Sequence, residues 1–272
     1  MDASTLALAF AVLPWKEREK AQLWEAFQLG EPDLRPESRA ELEKLDLPRF
    51  RAEAEARQAK LVLPGDEGSG PFFEALPYPV ALWVRGTLPP PGPRLAMVGT
   101  RTPSFQGRER ARNWARKLTE KGIQIISGLA RGIDGAAHQG ALETGTTWGI
   151  MGSGLEHPYP KEHLRLMDRM VASGGGVITP FPPEALPLKW HFPRRNLLLA
   201  AWCRGVLVVE AKLRSGSLVT AKLALDHGKE LWVVPGAPED PLSEGPNSLL
   251  REGAARICRS PEDLLEDLAE MT

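Results

Sequence analysis

Four glycine-punctuated segments carry the residue types that bind phosphate. The first reads Val98-Gly-Thr-Arg-Thr-Pro-Ser-Phe-Gln-Gly107 and the second Ser127-Gly-Leu-Ala-Arg-Gly-Ile-Asp134. The third is Gly152-Ser-Gly-Leu-Glu-His-Pro-Tyr-Pro-Lys161 and the fourth Glu210-Ala-Lys-Leu-Arg-Ser-Gly-Ser-Leu-Val-Thr220, with Phe192-Pro-Arg-Arg-Asn196 between them. Glycine lets backbone approach a ligand closely, and helix N-termini offer free N–H groups to anions. Beside Arg101, Arg131, Lys161, Arg194 and Arg195, such loops describe a phosphate-binding surface. A dinucleotide fingerprint fails, because Gly99-Thr-Arg101 lacks the second glycine and Gly152-Ser-Gly154 is only a fragment. No Walker A sequence occurs, so no nucleotide cofactor is expected. A polyanion crossing several loops fits better.

Something must hold those loops side by side. Short apolar runs at 95–98, 123–126, 147–151, 176–179, 206–209 and 231–234 read as buried strands. Helical patterns fall between them, from about Gly107, over 133–144 and over 217–227, and a short acidic helix opens at Pro261. That alternation predicts an α/β fold: an extended Rossmann-like, doubly wound, mainly parallel sheet over residues 94–262, followed by an acidic tail over 263–272. In such sheets ligands sit outside the carboxyl ends of the strands, where the glycine loops fall.

The first 60 residues read differently, as a small helical N-terminal domain, SAM-like or a plain packing module, with its patterns broken at Pro14, Pro32, Pro36 and Pro48. One helix is expected over 20–29, and Ser38 with Glu41 resembles a capping box opening another. Residues 61–93 read as a Pro/Gly-rich connector packed on the next domain, with one strand over 80–84.

The net charge of −1 over 272 residues conceals a segregation. Residues 1–59 hold nine Lys/Arg against twelve Asp/Glu, whereas residues 94–131 hold nine Lys/Arg against only Glu109 and Glu120. Arg108, Arg110, Arg112, Arg116 and Lys117 read as a solvated helix face; the loop arginines read as a site. The apolar run over 6–13 is far short of the ~20 residues of a membrane span and follows Asp2 rather than a basic stretch. Cys203 and Cys258 stand alone, which fits a reducing compartment and argues against a cysteine-rich zinc site. A soluble cytoplasmic protein is expected, with no metal.

These segments also resemble the DNA-processing protein A family, DprA or Smf. The resemblance rests on Val98-Gly-Thr-Arg101, residues 127–138, Phe192-Pro-Arg-Arg-Asn196, Val209-Glu-Ala211 with residues 215–221, Val234-Pro-Gly236 and residues 247–253. It implies a Rossmann-like domain that binds and protects single-stranded DNA, helps load the RecA recombinase in natural transformation, and forms a homodimer. By that likeness Gly99 and Arg101 meet phosphate from the first loop, while Ser127, Gly128, Ala130 and Arg131 line the second with amides facing another phosphate. Lys161 matches a pocket lysine, Phe192, Arg194, Arg195 and Asn196 close the site, and Ser215 and Gly216 complete it. Phe192 is read either as a base-stacking ring or as a core anchor. The chain departs at Thr179-Pro-Phe181, where the family usually has Ser-Glu, and at Asn196-Leu197, where it tends to have Asn-Arg. A C-terminal winged helix found in many members is expected to be absent, since the sequence stops at Thr272.

Three features tempt toward chemistry. Asp134 and His138, four apart on one helix, suggest an acid–base pair, but a structural role is preferred, with His138 bonding a loop. Glu210 reads as a catalytic carboxylate or as a brace for Ser217 or Arg194. His157 and His163 would need metal partners that the sequence does not identify. A rival enzyme reading is a cytokinin-activating (LOG-like) nucleotide phosphoribohydrolase, whose signature P-G-G-x-G-T-x-x-E ends in a catalytic glutamate. Here Leu223 stands at that place, so a non-catalytic binder is expected.

Overall fold

In a computed structural model, residues 2–13, 15–30, 36–74 and 76–271 are described; Pro14 and Pro32 lie outside them. The chain opens with helices α1 (Ala3–Val12), α2 (Glu17–Gln28), α3 (Pro36–Glu43) and α4 (Leu47–Ala56). Strand β1 (Lys60–Val62), the short helix α5 (Gly70–Phe73) and strand β2 (Leu82–Gly86) follow. Then come β3 (Arg94–Val98), α6 (Phe105–Glu120), β4 (Gln124–Ser127), α7 (Ile133–Ala141), β5 (Thr147–Ile150), α8 (Leu164–Ala172) and β6 (Gly176–Thr179). The chain finishes with α9 (His191–Trp202), β7 (Gly205–Val208), α10 (Gly216–Asp226), β8 (Glu230–Val233), α11 (Glu244–Arg251), β9 (Arg256–Ile257) and α12 (Pro261–Glu270).

One nine-stranded sheet carries everything, in the order β1-β2-β6-β5-β4-β3-β7-β8-β9. Strands β3 to β9 pair in parallel, while β2 joins β6, and β1 joins β2, antiparallel. The Rossmann-like, mainly parallel architecture expected from the alternation is therefore present. The sheet winds outward from β3 in both directions, to β4 on one side and β7 on the other, so the loops leaving β3 and β7 flank the switch point. Both faces are covered: Leu198, Trp202, Ala221 and Ala224 pack on one, and Ala111, Leu118, Ala137 and Leu264 on the other.

Several boundaries move. The strand expected over 80–84 lies at Leu82–Gly86, in register with Gly176–Thr179. The apolar run after Asp2 is α1: the Asp2 carboxylate accepts from the Thr5 amide at 2.8 Å, and Leu6 to Phe10 are all buried. Leu6 and Phe10 join the core that includes Tyr78, Leu82 and Leu198, so this helix is built into the sheet layer. Helix α3 begins at Pro36, placing Ser38 inside it rather than at its cap. Helix α6 starts at Phe105 because the Ser104 hydroxyl accepts from the Gly107 amide at 2.9 Å. The stretch 263–272 falls largely in α12, whose Leu264 and Leu268 are buried.

Candidate nucleic-acid interface

The segment 192–196 is not a loop. It is the first turn and more of α9, where Pro193 sits without breaking a helical hydrogen bond. Helical spacing then sorts its residues. Phe192, Arg195 and Asn196, at i, i+3 and i+4, face one cleft, while Arg194 turns to the other side. Arg194 Nη2 donates to Phe10 O at 3.4 Å and its guanidinium lies 5.6 Å from the Phe181 ring centre, away from the site expected for it.

The cleft holds about 320 Å3 at the switch point. Its walls come from the loop after β3 (Gly99 to Thr102), the loop after β7 (Lys212, Arg214, Ser215), the start of α10 (Gly216, Ser217, Thr220), and Ala130, Asp134 and the α9 face. Gly99 is required here, because a Cβ would come within 2.5 Å of Ile133 and 2.9 Å of Glu210 O. Arg101 is exposed, with its guanidinium 5.6 Å from the centre of the Phe192 ring; that of Arg195 lies 5.9 Å from the same centre. The Tyr159 ring meets Phe192 edge-on at 6.1 Å, so Phe192 is a partly exposed aromatic wall between cations. Ser215 is the N-cap of α10 but makes no side-chain cap bond, and its Oγ is unpartnered. The Asn196 Nδ2 donates to Gly216 O at 3.5 Å.

Glu210 braces the first loop. Its carboxylate accepts from the Ser104 amide at 2.9 Å and from the Ser104 hydroxyl at 2.5 Å, and its carbonyl accepts from the Thr100 amide at 2.7 Å. The partner is thus Ser104, not Ser217 or Arg194. Gly107 is part of the same fit, since a Cβ there would lie 2.2 Å from the Glu210 carboxyl carbon.

The second loop is a support rather than a phosphate cradle. Ser127 is fully buried and its hydroxyl donates to Met97 O at 2.6 Å. The amides expected to face phosphate are taken: Gly128 N and Ala130 N donate to Asp134 Oδ2 at 3.1 and 3.3 Å. Arg195, 5% exposed, donates through Nη1 to the carbonyls of Gly128 and Ile150. Burial pushes its pKa down to about 10, against the pull of Asp134, and still leaves it charged at neutral pH. Burial pushes the Asp134 carboxyl up, with Arg195 and the two amides opposing. Leu129, held at φ +59, has its carbonyl tied to His163 Nδ1 at 2.9 Å.

His138 does not pair with Asp134. Its Nδ1–H donates to Thr147 Oγ1 at 2.8 Å, since the Thr147 hydroxyl is spent on Ile125 O at 2.7 Å. Burial takes its pKa down to about 3, so the ring is neutral. Arg131 is exposed and ion-paired with Glu162, and it borders an adjoining recess of about 120 Å3 with Tyr159, Pro160 and Phe192. Lys161, the next residue in the chain after Pro160, is exposed and lines neither the cleft nor this recess. On α6, Arg112 pairs with Glu143 at 2.6 Å and Lys117 with Glu262 at 3.7 Å, the behaviour of a solvated face.

Two cleft cations escaped the sequence reading, Lys212 and Arg214. Both sit in the quoted Glu210-to-Thr220 segment, and only the switch-point topology turns them toward Arg101. Arg101, Arg195, Lys212 and Arg214 therefore converge on a cleft whose lining carries a single carboxylate, Asp134, already spent on amides. Among the described residues no helix is long and apolar enough to cross a membrane.

Comparison with known proteins identifies the family of the chain. Residues 72–269 match the model of a family described as DNA recombination-mediator protein A. Protein Smf of Escherichia coli is 44% identical over 193 residues, covering 70% of this chain and 51% of that protein, so the match spans about half of that relative's length. The crystal structure of DNA processing protein A from Streptococcus pneumoniae superposes with a TM-score of 0.76 at 30% identity, covering 96% of this chain and 95% of that one. The Helicobacter pylori DNA processing protein A, studied for its single-stranded DNA binding mode, gives a TM-score of 0.69 at 27% identity, covering 78% of this chain and 96% of that one.

Proposed function

The chain belongs to the DNA recombination-mediator protein A family, and from that premise we propose that its switch-point cleft holds the phosphates of single-stranded DNA. The protein protects incoming single strands, hands them to the RecA recombinase during natural transformation, and works as a cytoplasmic homodimer. The observation that carries this reading is the convergence of Arg101, Arg195, Lys212 and Arg214 around the open N-terminus of α10. Three exposed cations, Arg101, Lys212 and Arg214, with a helix dipole suit a polyanion, Arg195 holding the wall beneath them, and the Phe192 ring suits an unpaired base. The Helicobacter pylori relative's single-strand binding supports the same assignment.

A binder without bond chemistry is the reading favoured here. Asp134 is committed to two amides, Glu210 to Ser104, and neutral His138 to Thr147. Leu223 stands where the hydrolase rival needs its glutamate. The functional experiment is RecA filament assembly on a strand coated with single-strand binding protein. The wild-type chain is expected to accelerate assembly, and the R101A/R214A double variant is not. Equal acceleration by both would remove the cleft from the function.

A further inference from the structure

The loop after β6 ends in an aromatic that the cleft does not use. Trp190 is 61% exposed, and two residues nearby, Leu186 and Leu188, are 56% and 43% exposed. Leaving three large apolar side chains in water within five residues disfavours the isolated state, and such patches mark recognition surfaces. The indole is also positioned. His191 meets it at 4.0 Å and 77°, Phe181 at 6.3 Å and 83°, and His191 stacks on Phe181 at 3.8 Å. Both neighbours approach near right angles, so among the described residues no ring lies flat against the indole. It is held by its neighbours and open to a flat partner.

Sheet order says what the partner is. Strands β6, β5, β4, β3 and β7 are consecutive neighbours, so their exit loops form one row spanning about 19 Å at ~4.8 Å per step. Each loop contributes an exposed cation: Lys189, Lys161, Arg131, Arg101, and then Lys212 with Arg214. Lys189 precedes Trp190 directly, and Phe192 lies two residues on. The patch therefore continues the cation row at its β6 end. We propose that Trp190 is a second stacking platform, which takes an unpaired base of the single strand where it leaves the cleft. This rests on the single-strand reading above. The occupant is a nucleobase rather than a protein because each loop of the row offers an exposed cation. Among the described residues Arg131 alone of these is paired to a carboxylate, Glu162, and Glu156 is turned to Arg57. A line of cations beside an open ring matches a phosphate backbone with bases on one side.

The test uses the full chain with oligo-dT of about 4 and about 20 nucleotides, bracketing the ~4–16 nucleotides that single-strand sites span. Of the eight tryptophans, Trp190 is the exposed one; the others are buried or half-buried. Its fluorescence should be quenched by the longer strand in the wild type and not in W190F, which keeps a stacking ring and should bind within about threefold of wild type. W190A should bind the longer strand about fivefold to a hundredfold more weakly, the loss of one stacked base, with affinity for the shorter strand unchanged. Wild-type affinity of W190A for both lengths, equal losses at both lengths, or quenching retained in W190F would overturn the platform. So would an altered molar mass of W190A, which would make this face a contact between copies. If R101A loses binding while W190A does not, the platform alone falls. If the wild-type chain binds no strand, the single-strand reading falls with it.

Discussion

Asp134 and Arg195 grip the same residue from opposite sides: the Asp134 carboxylate accepts the Gly128 amide at 3.1 Å while the Arg195 guanidinium donates to the Gly128 carbonyl. There is no room between them, since a Cβ on Gly128 would lie 1.8 Å from Arg195 Nη1. Two opposite charges, both buried, thus fix the loop after β4 and tie it to α9 and the end of β5.

Breaking that arrangement from one side leaves a buried charge uncompensated. D134A and R195M should each lower unfolding free energy by about 3–5 kcal/mol, the range for removing one member of a buried pair. The double variant should lose clearly less than the sum of the two, because the charges share one environment. Additive losses in urea denaturation would show that the two residues act independently.

Stability should fall on mild acidification. His138 has a folded pKa of about 3 against an ordinary 6.5, so below 6.5 the unfolded chain binds a proton that the folded chain refuses. The stabilisation is complete above pH 6.5 and declines as pH falls toward 3. By pH 5 the decline is about 2 kcal/mol. H138Q should flatten that part of the profile; an unchanged slope would assign it to other groups.

Glu210 should matter to the site only through position. In E210A the Ser104 amide and hydroxyl lose their acceptor, and the loop carrying Arg101 is released. Loss of the buried bonds should cost about 1–3 kcal/mol of stability. Strand affinity should fall with the salt dependence preserved, because no phosphate contact is removed. A shallower salt dependence in E210A would place Glu210's influence on charge rather than on loop geometry.

Both thiols should be inert in the native protein. Burial pushes Cys203 and Cys258 up to about 12, so neither holds appreciable thiolate at neutral pH. An aromatic disulfide reagent should titrate neither until denaturant is added. Rapid native reaction would show that one of them opens to solvent.

The parallel sheet is legible in the sequence because each central strand is a short apolar run, buried along its length and bounded by polar or glycine residues. Leu207 and Val208 need no tertiary knowledge to be read as interior. The antiparallel edge is less so: β1 is three residues long and is a strand only because Lys60–Val62 finds β2. Phe192-Pro-Arg-Arg-Asn196 reads as a loop from its composition, yet proline is harmless in a first helical turn, and the apolar stretch that continues α9 follows it. Among site residues, Arg101 and Phe192 are legible from type and neighbourhood. Arg194 and Arg195 are indistinguishable as letters; one step of helical rotation sends the first toward Phe10 and the second into the core. Lys212 and Arg214 become site residues only when β7 is placed beside β3.

The central claim is that the cleft cations neutralise the phosphates of a single strand. The direct measurement is the affinity for oligo-dT against salt concentration, by fluorescence anisotropy, for the wild type and for R101A, K212A and R214A singly. Three neutralised phosphates, one for each of the exposed cations Arg101, Lys212 and Arg214, should give a log–log slope of about −2 in the wild type, at ~0.7 per phosphate on single strands. Each variant should bind more weakly with a slope shallower by about 0.7. Slopes identical to wild type in all three variants, or tighter binding to duplex than to single strand, would contradict the account.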